Sequence, residues 1–453
     1  MKVARIGDVA ESMKNGMYKP ASEYGEDGIP CLRMYNIDAG AIVWRDVKRM
    51  RVTDSERVDY GLLEGDLLVN RVNSRELVGK TAVIPFGMEP SVFESKNIRL
   101  RLKPERARAK FINYQLLASG RSHFAGNAQQ VVGMASISQA QLADFPIVLD
   151  SLARQDEIVA ELEKQFSRLD EAVANLQRVK ANLKRYKASV LKDAVEGRLV
   201  PTEAELARRR GRGFETGEQL LRRILGARRL QWSGRGKFKE AESPVVDGLP
   251  ELPEGWIWVR LDSVAALKGG ITVDAKRVDS TARAVPYLRV ANVQRGYLDM
   301  SETKLIDASE SDIAELRLEF GDILFNEGGD RDKLGRGWIW ENQVPDCIHQ
   351  NHVFRARVFL PEVASKLISW WGNSFGKEYF QRVGKQTTNL ASINLGKLSE
   401  FPIPLPPAAE QHRLVAEIER RLSLVYGVEL DVDDNLKRAQ SLRQSTLSKA
   451  FTP

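Results

Sequence analysis

The chain has 453 residues, of which 43% are hydrophobic and 28% charged, and its formal net charge is +7. This length exceeds one ordinary hydrophobic core and predicts two or three domains. No apolar run approaches the ~18 residues of a membrane span, and the first residues lack a signal-peptide segment. Two cysteines exclude a disulfide framework and favour the cytoplasm.

Residues 1–150 show the pattern of a mixed α/β domain. Short apolar runs such as "GDLLVN" (65–70) and "KTAVIPFG" (80–87) are bounded by Gly, Pro and Asp, which is typical of strands and turns. One helical stretch, "AKFINYQLLASG" (109–120), interrupts them. The segment holds 21 Lys and Arg against 18 Asp and Glu, so its net charge is only +3.

Residues 151–199 are predicted to form one long coiled-coil helix. Between Gln155 and Glu196 there is no Pro or Gly, and apolar residues recur at steps of three and four. At 1.5 Å per residue, ~40 residues give a rod of ~60 Å. The predicted seam positions are Leu162, Phe166, Leu169, Val173, Leu176, Val179, Leu183 and Tyr186, followed by Val190 and Ala194.

Residues 200–248 are predicted to be a basic linker with a short helix. Between 201 and 240 there are eleven Lys and Arg against five Asp and Glu, so this segment contributes +6. The stretch "GEQLLRRILGARRLQW" (217–232) has a helical pattern, and Trp232 is a candidate anchor. Its apolar side chains require a packing surface; they are Leu220, Leu221, Ile224 and Leu225.

Residues 249–405 repeat the plan of the first 150. "VPYLRVANVQRG" (285–296) matches "IPCLRMYNIDAG" (29–40), and "FGDILFN" (320–326) matches "EGDLLVN" (64–70). The phrase "FPIVLDSLARQDEIVAELEK" (145–164) returns as "FPIPLPPAAEQHRLVAEIER" (401–420). Every pair is displaced by 256 residues, which indicates a duplicated α/β domain. The second copy is also nearly neutral, with 19 basic and 21 acidic residues in 250–405.

Residues 406–453 are predicted to form a second long helix, weakened at Gly427 and at the acidic "DVDD" (431–434). A long amphipathic helix cannot bury its apolar stripe alone. We therefore expect the two rods to pack antiparallel, with the α/β domains at opposite ends. In the alternative, a tandem duplication, each helix only pads its own domain. The seam positions of the second helix are Ile418, Leu422, Val425, Leu436 and Leu442, together with Leu414, Val432, Ala439 and Leu447.

The predicted fold class is thus mixed α/β, with two pseudo-repeated α/β domains separated by two long antiparallel coiled-coil helices. No catalytic centre is predicted. "VGKT" (78–81) lacks the first glycine of a phosphate-binding loop, because that position is Ser74. "ESK" (94–96) and "ETK" (302–304) could echo a nuclease carboxylate–lysine pair, but neither has an identifiable partner acid. The four His and two Cys have no ligand spacing, so no metal site is predicted.

Three further phrases carry a resemblance to a known family. They are the repeated "FPI" phrases that open the long helices, "GRLVP" (197–201) followed by the helical linker stretch, and "LPELPEGWIWVRLDSVA" (249–265). In this combination the chain resembles, over its full length, the DNA specificity subunit of type I restriction–modification systems. Such subunits carry two target-recognition domains.

The resemblance implies a function and a set of partners. Each target-recognition domain is expected to read one half of a bipartite, asymmetric target in double-stranded DNA. The paired helices are expected to fix the spacer and to dock two methyltransferase subunits. S-adenosylmethionine, ATP and Mg²⁺ are expected on these modification subunits and on the restriction (translocase) subunits, with no cofactor bound by this chain.

Candidate DNA contacts are chosen by chemistry, as polar and basic side chains in loops that can pair with base edges. In the first domain they are Asn70, Arg71, Asn73, Ser74, Arg75, Lys80, Asn127, Gln129 and Gln130. In the second they are Asn326, Arg331, Lys333, Arg336, Lys385, Gln386, Thr387, Thr388 and Asn389. These loops differ between the halves while their flanks match, as two readers of unequal sequences require.

Three alternatives stay open at this point. The basic "ARRRGRG" (207–213) either touches DNA phosphate or is a solvated surface beside the rods. A stand-alone nuclease that uses "ESK" or "ETK" is one rival function. A coiled-coil scaffold without a nucleic-acid role is the other.

Overall fold

The computed structural model describes residues 2–131, 134–233, 237–272, 282–329, 331–386 and 391–451. The chain divides into two compact units. The first unit comprises Met1–Val179 and Asp431–Pro453, and the second comprises Lys180–Leu430. Both contain strands and helices, which confirms the predicted mixed α/β class. Of the helices in the described ranges, none is both long and apolar enough to cross a membrane.

The first unit contains fourteen strands within its described residues. They are β1 (Lys2–Arg5), β2 (Ala10–Asn15), β3 (Tyr24–Leu32), β4 (Ile37–Asp38), β5 (Ala41–Ile42), β6 (Lys48–Met50), β7 (Leu67–Asn70), β8 (Val72–Asn73), β9 (Thr81–Val83), β10 (Val92–Phe93), β11 (Asn97–Leu102), β12 (Gln129–Val131), β13 (Met134–Ser136) and β14 (Pro146–Leu149). Its helices are α1 (Ile6–Val9), α2 (Asp54–Tyr60), α3 (Ala109–Gln115), α4 (Arg121–Asn127), α5 (Gln139–Ala143) and the start of α6 (Leu152–Val195), with a π-turn at Leu116–Gly120 and 3₁₀ turns at Ala21–Glu23 and Met34–Asn36.

The first unit contains several small sheets, and its largest hydrophobic cluster forms its main core. The largest sheet has the order β2-β11-β7-β9, and three-stranded sheets have the orders β10-β3-β6 and β12-β13-β8. β1 pairs antiparallel with β14, which brings the two ends of the domain together. Phe111, Phe124 and Phe145 are fully buried in this core, and Phe166 of α6 joins them. The start of the long helix is therefore part of the domain core.

The second unit repeats these elements in the same order. Its strands are β15 (Ile257–Arg260), β16 (Ala265–Lys268), β17 (Arg283–Leu288), β18 (Val293–Gln294), β19 (Tyr297–Leu298), β20 (Lys304–Ala308), β21 (Ile323–Asn326), β22 (Gly328–Gly329), β23 (Gly337–Ile339), β24 (Ile348–His349), β25 (Val353–Val358), β26 (Lys385–Gln386), β27 (Ala391–Ser392) and β28 (Pro402–Leu405). Its helices are α7 (Glu203–Arg210), α8 (Gly217–Leu230), α9 (Leu261–Val264), α10 (Glu310–Leu316), α11 (Ser365–Ser374), α12 (Gly376–Val383), α13 (Leu395–Ser399) and the start of α14 (Ala408–Phe451), with a 3₁₀ turn at Arg331–Lys333.

The sheet order in the second unit matches that of the first. Its four-stranded sheet runs β16-β25-β21-β23, and its three-stranded sheets run β20-β17-β24 and β22-β27-β26. β15 pairs with β28 as β1 pairs with β14. The repeat seen in the sequence is therefore a repeat of structure, and the predicted pair of α/β domains is present.

Both long helices are continuous, and each has 44 residues. In the first unit, Leu162 and Phe166 of α6 pack against Leu447 of α14. In the second unit, Val190 and Ala194 of α6 pack against Leu414 and Ile418 of α14. Further along α6 in the first unit, Asp170 pairs with the earlier α14 residue Arg443. In the second unit Lys187, which precedes Val190 in α6, pairs with Glu429, which follows Ile418 in α14. The two helices therefore run antiparallel, as predicted.

The seam prediction is wrong at Val179 and Tyr186, which are 38% and 44% exposed. It is also wrong at Leu442. This side chain is 54% exposed, whereas Leu447 is 4% exposed. Arg443 takes the seam position instead: its guanidinium lies 4.5 Å from the ring centroid of Phe166 and pairs with Asp170 at 2.5 Å.

The other seam predictions fall on the packed side of each helix. Val425 is buried, and Leu422 packs on the second unit's core. The remaining positions are half-buried, namely Leu169, Val173, Leu176, Leu183 and Leu436.

The basic linker is more ordered than predicted. α8 corresponds to the predicted helix, and its Leu220 and Ile224 are fully buried in the core of the second unit. α7 was not predicted, although "TEAE" (202–205) forms a capping box in which the Thr202 hydroxyl accepts from the backbone N–H of Glu205. Trp232 is half-exposed and its ring meets that of Phe238.

Candidate nucleic-acid interface

The two candidate loops of the first unit meet in one small sheet. β8 (Val72–Asn73) pairs with β13, and β13 pairs with β12 (Gln129–Val131). Asn73 lies opposite Ala135, which in turn lies opposite Gln130. Residues more than fifty positions apart are thus held side by side, and the loops that flank this sheet form one surface. We call it the first loop sheet.

The second unit builds the same arrangement from different residues. β22 (Gly328–Gly329) pairs with β27 (Ala391–Ser392), and β27 pairs with β26 (Lys385–Gln386). A Cβ on Gly328 would lie 2.9 Å from the backbone oxygen of Ala391, so the close approach of these strands requires glycine. This second loop sheet again joins the two segments that the sequence analysis selected.

Three of the candidate contact residues are buried and serve the fold. Asn70 Nδ2 donates to the Lys96 carbonyl at 3.0 Å, and Asn70 Oδ1 accepts from the amide of Asn73 at 2.8 Å. At the equivalent position, Asn326 Nδ2 donates to the Val293 carbonyl at 2.8 Å. All three asparagines are buried, so their amides are not available to a base edge. We correct the prediction for Asn70, Asn73 and Asn326 accordingly.

The other candidates of the first unit whose side chains are described are exposed or half-buried. Arg75 and Asn127 are exposed. Arg75 Nε donates to the Ala125 carbonyl at 3.0 Å, and Asn127 Nδ2 to the His123 carbonyl at 2.8 Å. Arg71, Ser74 and Lys80 are half-buried. Lys80 Nζ donates to the Ile37 carbonyl at 3.2 Å. Their contact with DNA stays a prediction.

In the second unit Arg331 and Lys385 are exposed, and Lys333 and Arg336 are half-buried. Arg336 donates from Nη2 to the Val290 carbonyl at 3.3 Å. For Gln129, Gln130 and Gln386 only the backbone position in a strand is described. Thr387, Thr388 and Asn389 lie outside the described residues.

A pair of arginines supports the central sheet of each unit, and neither pair was predicted from the sequence. Arg101 forms a two-pronged ion pair with buried Asp66 at 2.8 Å, and Arg357 pairs with Asp322 in the same way. The hydrogen bonds that Arg101 donates to the Asp66 carboxylate raise the pKa of Arg101. The signal was available, since "RLRL" (99–102) and "RARV" (355–358) are 256 residues apart.

The second arginine of each pair is buried against backbone. Arg99 Nη1 donates to the Gly61 carbonyl at 2.7 Å, and Arg355 Nη1 to the Arg317 carbonyl at 3.0 Å. Burial lowers the pKa of both groups. These four arginines are fixed by the fold, which separates them from the arginines of the loops.

The repeated "FPI" phrase contains a buried glutamine that joins each long helix to its domain. Gln155 Oε1 accepts from the backbone N–H of Arg108 at 2.8 Å, and its Nε2 donates to the Asp150 carbonyl at 3.0 Å. Gln411 Oε1 accepts from the N–H of Ala364 at 2.8 Å, and its Nε2 donates to the Pro406 carbonyl at 2.9 Å. The phrase recurs because each unit attaches its helix by the same hydrogen bonds.

The start of the linker is built into the second unit. Buried Glu410 accepts from the backbone N–H of Glu203 at 2.8 Å and from Trp256 Nε1 at 3.0 Å. Burial raises the pKa of Glu410. Glu203 in turn pairs with Arg413 and, at 2.9 Å, with Arg212. Arg208, Arg209 and Arg210 point to solvent, and their contact with DNA phosphate stays a prediction.

The acids of the rival nuclease hypothesis take part in structural contacts. Glu94 accepts from the backbone N–H of Met34 at 3.1 Å and pairs with Arg33 at 3.3 Å. Glu302 pairs with Arg289 at 3.3 Å. Within the described ranges, no group of three or more His, Cys, Asp or Glu side chains could hold a metal ion.

No protein-family model matches the chain. The chain is 21% identical over 462 residues to the type I restriction enzyme EcoKI specificity subunit of Escherichia coli (strain K12), covering 99% of this chain and 88% of that protein. The chain is thus similar, over nearly its full length, to a type I restriction enzyme specificity subunit. The resemblance predicted from the repeated phrases is thereby confirmed over the full length.

Two solved structures share the fold. A chain of a type I R-M system, from work on its complex assembly and conformational transition, matches with a TM-score of 0.63 at 17% identity, covering 99% of this chain and 97% of that chain. The HsdS subunit from Thermoanaerobacter tengcongensis matches with a TM-score of 0.52 at 14% identity, covering 99% and 96%. At these identities the likeness establishes the fold and not the contact residues.

Proposed function

We propose that this chain is the non-catalytic subunit that gives a type I restriction–modification complex its DNA sequence specificity. Each unit reads one half of a bipartite, asymmetric site in double-stranded DNA. The paired long helices fix the spacer between the half-sites and dock methyltransferase subunits.

One observation carries this proposal: two domains share a buried framework but differ in their loop sheets. Arg101 and Arg357, and Gln155 and Gln411, occupy matching positions with matching hydrogen bonds, and Asn70 and Asn326 are both fully buried at matching positions. The loops beside β8 and β22 share few residues. A duplicated scaffold with unlike contact loops suits two readers of two different sequences.

The expected partners follow from the low net charge of the two α/β domains. Each α/β domain is nearly neutral, at +3 for residues 1–150 and −2 for residues 250–405. Phosphate contact supplies much of the affinity of DNA-binding proteins. The modification subunits therefore supply much of that contact, and they carry S-adenosylmethionine for methylation of adenine. Restriction subunits bring ATP and Mg²⁺.

The test is to map methylated adenines across the host genome with and without the gene for this chain. We expect a bipartite, asymmetric motif that is methylated only when the gene is present. If methylation were unchanged by the deletion, the proposal would be wrong.

A second arm separates the rival functions. Purified chain mixed with plasmid and Mg²⁺ is expected to leave the DNA intact, because Glu94 and Glu302 are held in ion pairs with arginines. Cleavage by the chain alone would favour the nuclease. Sequence-dependent DNA binding by the complex with methyltransferase excludes a scaffold without a nucleic-acid role.

A further inference from the structure

One pair of positions carries two basic side chains in the first unit and a carboxylate with a histidine in the second. In the first unit it is Arg71 with Lys96, and in the second it is Glu327 with His352. Both members of each pair are displaced by 256 residues. The pair adjoins the loop sheet, since β8 begins at Val72 and β22 begins at Gly328.

The backbone at this place is the same in both units. The N–H of Arg71 donates to the Lys96 carbonyl at 2.8 Å, and the N–H of Ile137 donates to the Arg71 carbonyl at 2.9 Å. In the second unit the corresponding bonds run from Glu327 to His352 at 3.0 Å and from Ile393 to Glu327 at 2.8 Å. The fold therefore does not account for the change of side chains.

The basic pair offers hydrogen-bond donors. Arg71 and Lys96 are both half-buried, and among the described residues neither has a carboxylate within ion-pair distance. The contact made by the Arg71 guanidinium is long, at 3.5 Å from Nε to the Ile137 carbonyl. Arginine and lysine donors match the O6 and N7 acceptors of guanine in the major groove.

The acidic pair offers an acceptor. The imidazole Nδ1 of His352 is hydrogen-bonded to Glu327 Oε2, which orients the carboxylate. The side chains remain accessible, with 55% of His352 and 28% of Glu327 exposed. A carboxylate oxygen accepts from the N4 amino group of cytosine and repels the acceptors of guanine.

We propose that these pairs are base-reading positions: Arg71 and Lys96 select guanine in the first half-site, and Glu327, positioned by His352, selects cytosine in the second. This inference rests on the proposed function and specifies the site of sequence choice within each unit. His352 acts as a positioning residue for the carboxylate.

The test exchanges the pairs between the units. The double variant Glu327→Arg with His352→Lys is expressed with the host methyltransferase subunits, and the methylated motif is read by sequencing. One position of one half-site is expected to change from C to G on the contacted strand, with a preference changed by about tenfold or more. The other half-site stays as it was.

Reciprocal and matched variants make the result specific. Arg71→Glu with Lys96→His is expected to change one position in the other half-site. Glu327→Gln, which is nearly isosteric, is expected to relax the preference at the same position as the double variant. Asp307→Arg is the charge control, since Asp307 lies exposed on β20, outside the loop sheet, and is expected to leave the motif unchanged.

The outcomes separate this inference from the proposed function. If the exchange variants weakened methylation at all sites equally and every motif position were kept, the pairs would be phosphate or structural contacts and the inference would fall. If the unaltered chain directed no sequence-dependent methylation, the proposed function would fall first. Retention of the unchanged half-site in each variant reports that the complex is folded.

Discussion

At the residue scale, one asparagine in each unit has a structural role although the sequence around it is polar. Asn70 ends β7 and Asn326 ends β21, the third strand in the order of each four-stranded sheet. Asn70 is fully buried and holds the Lys96 carbonyl and the Asn73 amide. Asn326 is fully buried at the matching position and bonds to two backbone carbonyls. Both asparagines fix the point at which a loop leaves the sheet.

Replacing Asn70 by Ala is expected to destabilise the first unit by about 2–3 kcal/mol, because buried partners lose their hydrogen bonds. The measurement is the free energy of unfolding in urea. Asn127→Ala is the matched control, since Asn127 is exposed, and its cost is expected within about 0.5 kcal/mol. Equal costs for the two variants would contradict the structural role of Asn70.

His349 is a second residue whose burial has a measurable effect, in this case on how stability depends on pH. It is fully buried, donates from Nδ1 to the Val353 carbonyl at 2.6 Å, and matches Phe93 of the first unit. Burial lowers the pKa of His349 to about 4, and nearby Arg355 acts in the same direction. The folded protein therefore keeps His349 neutral at a pH at which the unfolded chain takes up a proton.

The stabilising effect of neutral His349 is complete above the unfolded pKa of about 6.5 and is lost as pH falls toward 4. Over this pH range the free energy of unfolding of the second unit is expected to fall by about 3 kcal/mol. His349→Phe, which copies Phe93, is expected to remove this slope. The readout is tryptophan fluorescence during unfolding, since seven of the eight tryptophans lie in the second unit.

The control for this variant is His412→Gln, a change to an exposed histidine of the same unit. It is expected to keep the full dependence on pH between 6.5 and 4. An unchanged slope in His349→Phe would show that other groups cause it.

At the scale of elements, the long helices were predictable and their detailed seam was only partly so. Steps of three and four between apolar residues located both helices, because helical periodicity is a local property. The pattern chose Leu442 over Arg443, because hydrophobicity alone does not anticipate an arginine that lies across an aromatic ring and pairs with Asp170.

The corrected seam makes a direct prediction. Leu447→Ala is expected to lower the free energy of unfolding by about 2–4 kcal/mol, since Leu447 of α14 is buried against α6. Leu442→Ala is expected to cost less than about 0.5 kcal/mol. Chemical denaturation of both variants measures the difference. If Leu442→Ala lowered the free energy of unfolding more than Leu447→Ala does, the seam predicted from the sequence would be correct at Leu442.

The loop sheets were not predictable as sheets. Their strands are two or three residues long, and they join segments such as 72–73 and 129–131 that are far apart in the chain. Such short strands carry no periodicity, and their pairing depends on the whole domain. Residue chemistry nevertheless selected both segments of each sheet, although it could not separate buried Asn70 and Asn73 from exposed Arg75.

At the scale of the whole molecule, the duplication explains most of what the sequence could predict. Matching phrases at a constant shift of 256 residues predicted matching domains, and the sheet orders agree. Differences between the copies cannot be interpreted from one copy alone. They become informative only when the fold shows which positions have the same backbone hydrogen bonds in both units.

In the proposed function, each unit reads its own half-site independently of the other. The most direct measurement is the methylated motif of a chain in which residues 1–145 are replaced by those of another specificity subunit, expressed with the same methyltransferase subunits. We expect one half of the motif to change while the other half and the spacer are kept. A motif in which both halves change, or neither does, would contradict the account.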